Sequence, residues 1–160
     1  MKPGEIPQSY RASVAAIFVN KNKEFFLVQQ PGFRENEWDF IKGGMIQDEE
    51  EEDTLKRELR EELGNDIKYK ILRRSVWNII YSWPKEHQIK KGFRGQARVS
   101  FWVKYIDGEL IPGKQELTAT KWFNSNEMEK VLRDSNTGEH DIKIFLEEWE
   151  KIQKEFESEF

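Results

Sequence analysis

Apolar and polar positions alternate with a period of two along much of the chain, and two stretches switch to a period near four. Ala12–Asn20 and Glu24–Gln30 are apolar and rich in branched or aromatic residues, with Asn20-Lys21-Asn22-Lys23 between them, so the pair predicts a β-hairpin. Trp38–Lys42 predicts a short strand ending at the Gly43-Gly44 bend. Leu55, Leu59 and Leu63 recur every four residues and form the apolar stripe of a helix. Asp48 and Glu51 have the spacing of its capping box, and Gly64 is a natural stop. Ile67, Tyr69 and Ile71 then alternate with charged residues, and Ser75–Trp83 predicts another strand. Val99, Phe101, Val103 and Tyr105 alternate against Arg98, Ser100, Trp102 and Lys104, the pattern of a half-buried strand. Asp107-Gly108 begins a turn, Thr120–Phe123 is a short strand, and Ser125 is placed to cap a helix over Asn126–Arg133. From Asp141 to Phe156 or Glu157 the pattern is an amphipathic helix with Ile144, Phe145, Trp149 and Ile152 on one side. Strands, one helix, strands, then helices imply an α/β fold with a mixed sheet and helices packed on it.

The 160 residues are one domain's length, so residues 1–160 are read as a single domain. The 13% of aromatic residues can bury enough surface to order the chain, although 35% of residues are charged. With no cysteine, disulfides, thiolate metal sites and cysteine nucleophiles are excluded, and two histidines are too few for a histidine cage. Met1–Arg11 lacks the apolar core of a signal peptide, and the longest apolar run, Val14–Val19, is far too short to span a bilayer. The expectation is a soluble cytoplasmic protein without a membrane partner, monomeric or homodimeric. The net charge of −4 hides opposite blocks. Gly43–Asp66 has ten acids and three bases (net −7), Lys68–Arg98 nine bases and one acid (net +8), and residues 139–160 a net −5.

Within the acidic block, Glu58, Glu61 and Glu62 fall at i, i+3 and i+4, which on a helix places three carboxylates on one face opposite the leucines. Such like charges repel, and a divalent cation relieves them. Oxygen-only donors select a hard ion, Mg²⁺ or Mn²⁺. The bland alternative is a solvated acidic face, which is how most of the Asp48–Asp53 run is read. Arg57 and Arg60 lie on the same helix, close enough to pair with these acids.

The full spacing is more specific. Gly43, five residues, Glu49, seven residues, then Arg57-Glu58-Leu59-Arg60-Glu61-Glu62-Leu63-Gly64 resembles the Nudix box, G-x5-E-x7-R-E-U-x-E-E-x-G-U, over residues 43–65. Every fixed position matches except the last, where Asn65 replaces an apolar residue that packs rather than reacts. Tyr10-Arg11, Trp38-Asp39-Phe40-Ile41-Lys42-Gly43-Gly44, Gly95-Gln96-Ala97 with Phe101, and Glu116 six residues before Trp122 are similar to elements of the dinucleoside polyphosphate and RNA 5′-pyrophosphate hydrolases of this superfamily. Ile41 in place of the usual proline and Phe123 at the last aromatic position depart from that pattern.

The resemblance implies a Nudix-type α/β/α sandwich with a mixed central sheet. It implies hydrolysis of a nucleoside diphosphate linkage with Mg²⁺, for which Mn²⁺ is a substitute. Glu58, Glu61 and Glu62 match the metal carboxylates, with a main-chain carbonyl at Gly43 or Lys42 beside them; Arg57 matches the arginine that orients a glutamate, Glu58 or Glu49, and Glu49 matches a supporting position. The catalytic set is then Glu58, Glu61, Arg57 and Glu116, with Glu116, or Glu61 or Glu58 through a metal-bound water, as base. Arg11 matches a position near substrate phosphates, which Lys42 would also reach. Lys90, Lys91 and Arg94, in the Pro84–Gly95 loop, and the ring of Tyr81 complete the substrate set, although any single lysine and any buried ring has a solvated or packing role as its simpler explanation. Trp38, Trp122 and the C-terminal aromatic residues read as packing residues, and His87 as an exposed loop residue. The leading substrate class is the dinucleoside polyphosphates, the rival is the 5′ end of triphosphorylated RNA, and nucleoside triphosphates or nucleoside diphosphate sugars remain open. A silent binding module of the same fold is the alternative from another class, and the intact Glu58, Glu61 and Glu62 argue against it.

Overall fold

A computed structural model describes residues 7–113 and 117–160. Among the described residues, seven strands form one mixed sheet: β1 (Tyr10–Val19), β2 (Glu24–Gln29), β3 (Ile41–Gly44), β4 (Lys68–Arg74), β5 (Ile79–Ser82), β6 (Gly95–Asp107) and β7 (Ala119–Asn124). Four helices accompany them: α1 (Glu51–Leu63), α2 (Lys85–Lys91), α3 (Met128–Asp134) and α4 (Glu139–Glu155). β1 and β6 are the parallel axis, paired from Tyr10–Gly95 to Val19–Lys104. Each carries antiparallel partners on its other edge. β3 lies against Ser13–Ala16 and β2 takes over at Val19, while β5 lies against Gly95–Arg98 and β4 against Phe101–Asp107. β7 closes the far edge on β2. No helix among the described residues is long and apolar enough to cross a membrane.

The period-two pattern of β1 feeds two cores. Val14, Ala16 and Phe18 face α1, where Leu55, Leu59 and Leu63 close over them; Ala15, Ile17 and Val19 face Phe145, Trp149 and Ile152 of α4. The result is the expected α/β/α sandwich, and α4 covers the C-terminal segment in which an amphipathic helix is predicted. Trp122 packs on Phe18 and Phe26, and Trp38 on Phe123, as the packing reading has it.

Five local differences from the sequence reading have physical causes. Trp102, on the side of β6 that alternates with the apolar residues, is fully buried, stacked with Phe145 and Trp149 at 5.7 Å. A central strand between two helical layers is buried on both faces, so its polar-looking side is not a solvent side. The Ser75–Trp83 strand shortens to β5, because the buried carboxylate of Glu148 captures Ser75 Oγ and the Val76 amide (2.8 Å) and so diverts the preceding residues from the ladder. The Pro84–Gly95 loop contains α2, with Gly92 in the left-handed conformation at its C-terminal end. The cap of α1 is Glu50, whose amide donates to Asp53 (3.1 Å), while Asp48 sits before it at φ 67°. Similarly, Asn124 rather than Ser125 caps the turn Ser125–Glu127 that leads into α3.

The Trp102 ring holds the α4 layer to the sheet. Trp102→Ala is expected to lower unfolding free energy by about 3–5 kcal/mol, read as a drop in the urea midpoint at unchanged slope. A loss below about 1 kcal/mol would place the ring outside the core.

Candidate functional site

β3 ends in two residues without side chains, and the sheet's alternation turns them to opposite faces. A Cβ on Gly43 would lie 1.9 Å from Glu58 Cδ, and one on Gly44 would lie 2.1 Å from Arg11 Cζ. Neither glycine has a positive φ, so it is close approach and not backbone conformation that requires them. Glu58 thus closes on the strand end from the α1 side and Arg11 from the other.

Arg57 ties this corner together. Its guanidinium donates to the Gly44 carbonyl (2.8 Å), to both oxygens of Glu49 (2.7 and 2.9 Å), to Glu58 (2.8 Å) and to Glu61 (3.2 Å). Glu49 also accepts from the Ile46 amide (3.0 Å) and Thr54 Oγ1 (2.8 Å). The hydrogen bond from Arg57, then those from Ile46 and Thr54, outweigh desolvation and hold the Glu49 carboxyl down at about 2. The same pairing pushes Arg57 above its already high value. Arg57 therefore orients both Glu49 and Glu58, where the sequence reading left one or the other.

Glu58 and Glu62 are buried and Glu61 is exposed. Among the described residues no three carboxylate or histidine side chains converge as a metal group. The donor chemistry nonetheless fits a hard cation: all donors are oxygen, and the missing Cβ of Gly43 makes the space that the Glu58 carboxylate enters. Here the cation inside that carboxylate set is the Arg57 guanidinium, which takes one oxygen each of Glu58 and Glu61. Glu116 lies outside the described residues. On either side of it, the Gly113 amide donates to the Glu62 carbonyl (2.8 Å) and the Leu117 amide to the Gly113 carbonyl (3.2 Å), so the described chain enters and leaves at the C-terminal turn of α1.

On the other face a cavity of about 810 Å³ opens over the sheet beside α2, α3 and the start of α4. It brings together four residues of the predicted substrate set, Arg11, Lys42, Tyr81 and Lys91; Lys90 and Arg94 are exposed and outside its lining. His87, on α2 rather than in a loop, packs edge-on against Trp83 at 4.7 Å and also lines it. The floor holds a pair that sequence reasoning missed. Asp39 is bound by both terminal nitrogens of Arg98 (3.0 Å each) and by Lys42 Nζ (2.8 Å). Burial alone pushes the Asp39 carboxyl up, but the Arg98 and Lys42 charges beside it hold it well below the usual carboxylate range. The two partners are 59 residues apart, and no local pattern links them.

Much of the central basic block is spent within the fold. Lys70 and Lys104 pair with Glu159, Arg73 with Glu155 and Glu148, and Arg74 with Glu51. Part of each opposite charge block is thus paired with another, and of the central block's cations only Lys91 and Arg98 line the cavity.

The chain matches the NUDIX domain over residues 9–147 and belongs to the Nudix family. It is 37% identical over 128 residues to an RNA pyrophosphohydrolase of Sulfurovum sp., covering 72% of this chain and 80% of that one. It is 23% identical over 134 residues to an NAD-capped RNA hydrolase of Pseudomonas aeruginosa, covering 81% of this chain and 42% of that one, so it spans less than half the length of that relative. In structure it is similar to an Ap4A hydrolase of C. elegans (TM-score 0.63, 16% identity, 88% of this chain and 98% of that one), which shows the shared fold. Nudix hydrolases generally use divalent metal ions.

Because Arg57 holds Glu49 down at about 2, ionised Glu49 stabilises the fold above its ordinary pKa, and that contribution fades as pH falls from about 4.5 toward about 2. The stability difference between the wild type and Glu49→Gln, measured by urea unfolding across a pH series, should be constant above about pH 5 and shrink below it. A difference independent of pH would remove the Glu49–Arg57 pair as its source.

Proposed function

We propose that this protein is a pyrophosphohydrolase that cleaves a phosphoric anhydride bond of a nucleoside 5′-polyphosphate with a divalent cation, Mg²⁺ foremost. The observation that carries the reading is the junction at Gly43-Gly44: the Glu58 carboxylate of the Nudix box reaches the strand end on one face, and a basic cavity begins at Arg11 on the other. A polyphosphate laid across the junction has its anhydride beside the acids and its remaining charge on the bases.

Glu58, Glu61 and Glu62, with the Gly43 carbonyl, would hold the cation. Bound there, it supplies neutralisation of phosphate oxygens and a water acidified toward neutral pH. Arg57 keeps Glu58 and Glu61 in reach. Glu116 is the proposed base, taking the proton of the attacking water, with Glu61 or Glu58 as the alternative. Arg11 and Lys42 neutralise and orient the phosphates, Tyr81 supports Lys42, and Lys91 lines the approach, with Lys90 and Arg94 as outer charges met by a longer substrate.

Dinucleoside polyphosphates, the class implied by the motifs, and 5′-triphosphorylated RNA share the scissile bond. The RNA reading gains support from the 37% identity to an RNA pyrophosphohydrolase. A cytoplasmic protein acting on nucleotides or RNA 5′ ends, as monomer or homodimer, is the accompanying expectation.

The test is a panel of diadenosine polyphosphates, 5′-triphosphorylated RNA, ADP-ribose and oxidised dGTP with Mg²⁺ or Mn²⁺, with products identified. At least one should be hydrolysed at an anhydride phosphorus, and Glu61→Gln should stop turnover of every substrate. Binding without hydrolysis in the wild type would point to the silent module. Glu116→Gln should lower kcat by about 10²–10⁴-fold with the melting temperature unchanged; a near wild-type kcat would remove Glu116 from the mechanism.

A further inference from the structure

The floor of the cavity is unusual in what its polar atoms have left to offer. Asp39 Oδ1 accepts from the Phe40 amide (2.8 Å) and Arg98 Nη1 (3.0 Å), and Oδ2 accepts from Arg98 Nη2 (3.0 Å) and Lys42 Nζ (2.8 Å). Those bonds fill a carboxylate's acceptor capacity. Gln96 Oε1 accepts from Tyr81 Oη (2.5 Å) and Ser13 Oγ (3.3 Å), and Tyr81 Oη accepts in turn from Lys42 (3.4 Å). The acceptors of the floor are therefore consumed internally. What these floor residues still turn to the cavity is donors: the Arg11 guanidinium, the other hydrogens of the Lys42 ammonium and the Gln96 amide NH₂. The remaining carboxylates of the lining, Glu37 and Asp141, are engaged by Arg34 and by Trp77 Nε1. With Asp39 counted against Arg11, Lys42 and Arg98, the floor has a net charge of +2.

We propose that this floor is a subsite for a terminal phosphate group, and that Arg98 is the positioning residue that makes it one by covering Asp39. The proposal rests on the pyrophosphohydrolase reading and narrows its substrate class to 5′-polyphosphates with a free end. A nucleobase edge carries donors as well as acceptors, and its donors find no partner on a donor-only floor. A terminal phosphate is all acceptor and ionises a second time near pH 6, whereas a phosphate capped by a second nucleoside carries one charge. Arg is suited to this covering role because its planar fork spans both carboxylate oxygens, which a lysine's point charge does not. Without Arg98, Asp39 would keep only the Phe40 amide and Lys42 and present a partly uncovered anion where the ligand's anion must lie.

Inorganic tripolyphosphate, titrated calorimetrically into the intact chain in a metal-free, chelator-containing buffer, tests the subsite apart from turnover. The wild type should bind it, and Arg98→Gln should weaken binding by about tenfold or more. Removing the exposed anion as well, in Asp39→Asn/Arg98→Gln, should restore affinity to within about threefold of wild type, a recovery that a merely structural Arg98 would not produce. Arg98→Lys, which keeps the charge but not the fork, should fall in between and serves where Arg98→Gln does not fold. In kinetics with Mg²⁺, the Arg98 variants should raise KM for 5′-triphosphorylated RNA more than for diadenosine tetraphosphate, with kcat little changed. The subsite is overturned if the wild type does not bind tripolyphosphate, if the single variants bind it as tightly, or if the double variant shows no recovery. If the wild type hydrolyses neither substrate, the pyrophosphohydrolase reading fails, and the calorimetry still decides the subsite.

Discussion

The structure turns on the end of one short strand. Gly43 and Gly44 carry no side chains, so α1 can bring Glu58 against the strand from one face and β1 can bring Arg11 against it from the other. Arg57 then locks the corner by donating to the Gly44 carbonyl and to the carboxylates around it. A methyl group at either glycine must displace a charged side chain. The displaced groups are the carboxylate and the guanidinium on which the site depends, so the constraint is functional even where the fold would tolerate the change. The Glu58 carboxylate is buried, and a buried charge is tolerable only when paired. Arg57 supplies that pairing, one guanidinium shared among carboxylates that would otherwise repel one another.

Everything that positions this corner is ordinary sheet and helix packing. The parallel pairing of β1 with β6 runs the length of β1, and each strand changes its outer partner midway. Such a split leaves β3 and β5 on opposite sides of the axis at the same end of the sheet, which sets Lys42 against Tyr81 and Asp39 against Arg98. The two cores, α1 below and α4 above, hold those ends still. Long-range ion pairs then join the acidic C-terminal segment to the basic centre, through Glu159 to Lys70 and Lys104 and through Glu155 to Arg73. Exposed pairs of this kind contribute little each. Their larger consequence is to take Lys70 and Arg73 out of the ligand's reach.

The fold was legible wherever local periodicity decides structure. The hairpin, the leucine stripe of α1 and the aromatic stripe of α4 are all patterns within a dozen or so residues of one another. The box was legible for a related reason: its chemistry sits on one helix and the turn before it. What stayed hidden is what tertiary contacts decide. Trp102 reads as the outer side of a half-buried strand until α4 covers it. Val76 leaves its expected strand because a carboxylate 72 residues away in sequence captures its amide. The Asp39–Arg98 pair joins the segment before β3 to β6, which no spacing rule connects, and the local +8 of the central segment overstated the cations free for substrate because their partners lie elsewhere in the chain.

The two halves of the site solve the same electrostatic problem with opposite signs. On the α1 side, an excess of carboxylates is gathered and held by one arginine, which leaves a place where a further cation lowers the energy. On the cavity side, cations are gathered around one carboxylate, Asp39, whose acceptors are then exhausted, which leaves a place where a further anion does the same. Each half contains one residue of the minority charge, Arg57 or Asp39, that holds its neighbours in position without neutralising the whole. A ligand that brings its own cation and its own anionic chain satisfies both at once. On the proposed function, that pairing of a cation-seeking corner with an anion-seeking floor across two adjacent glycines would suit a metal-bound polyphosphate better than either an isolated metal ion or an isolated anion.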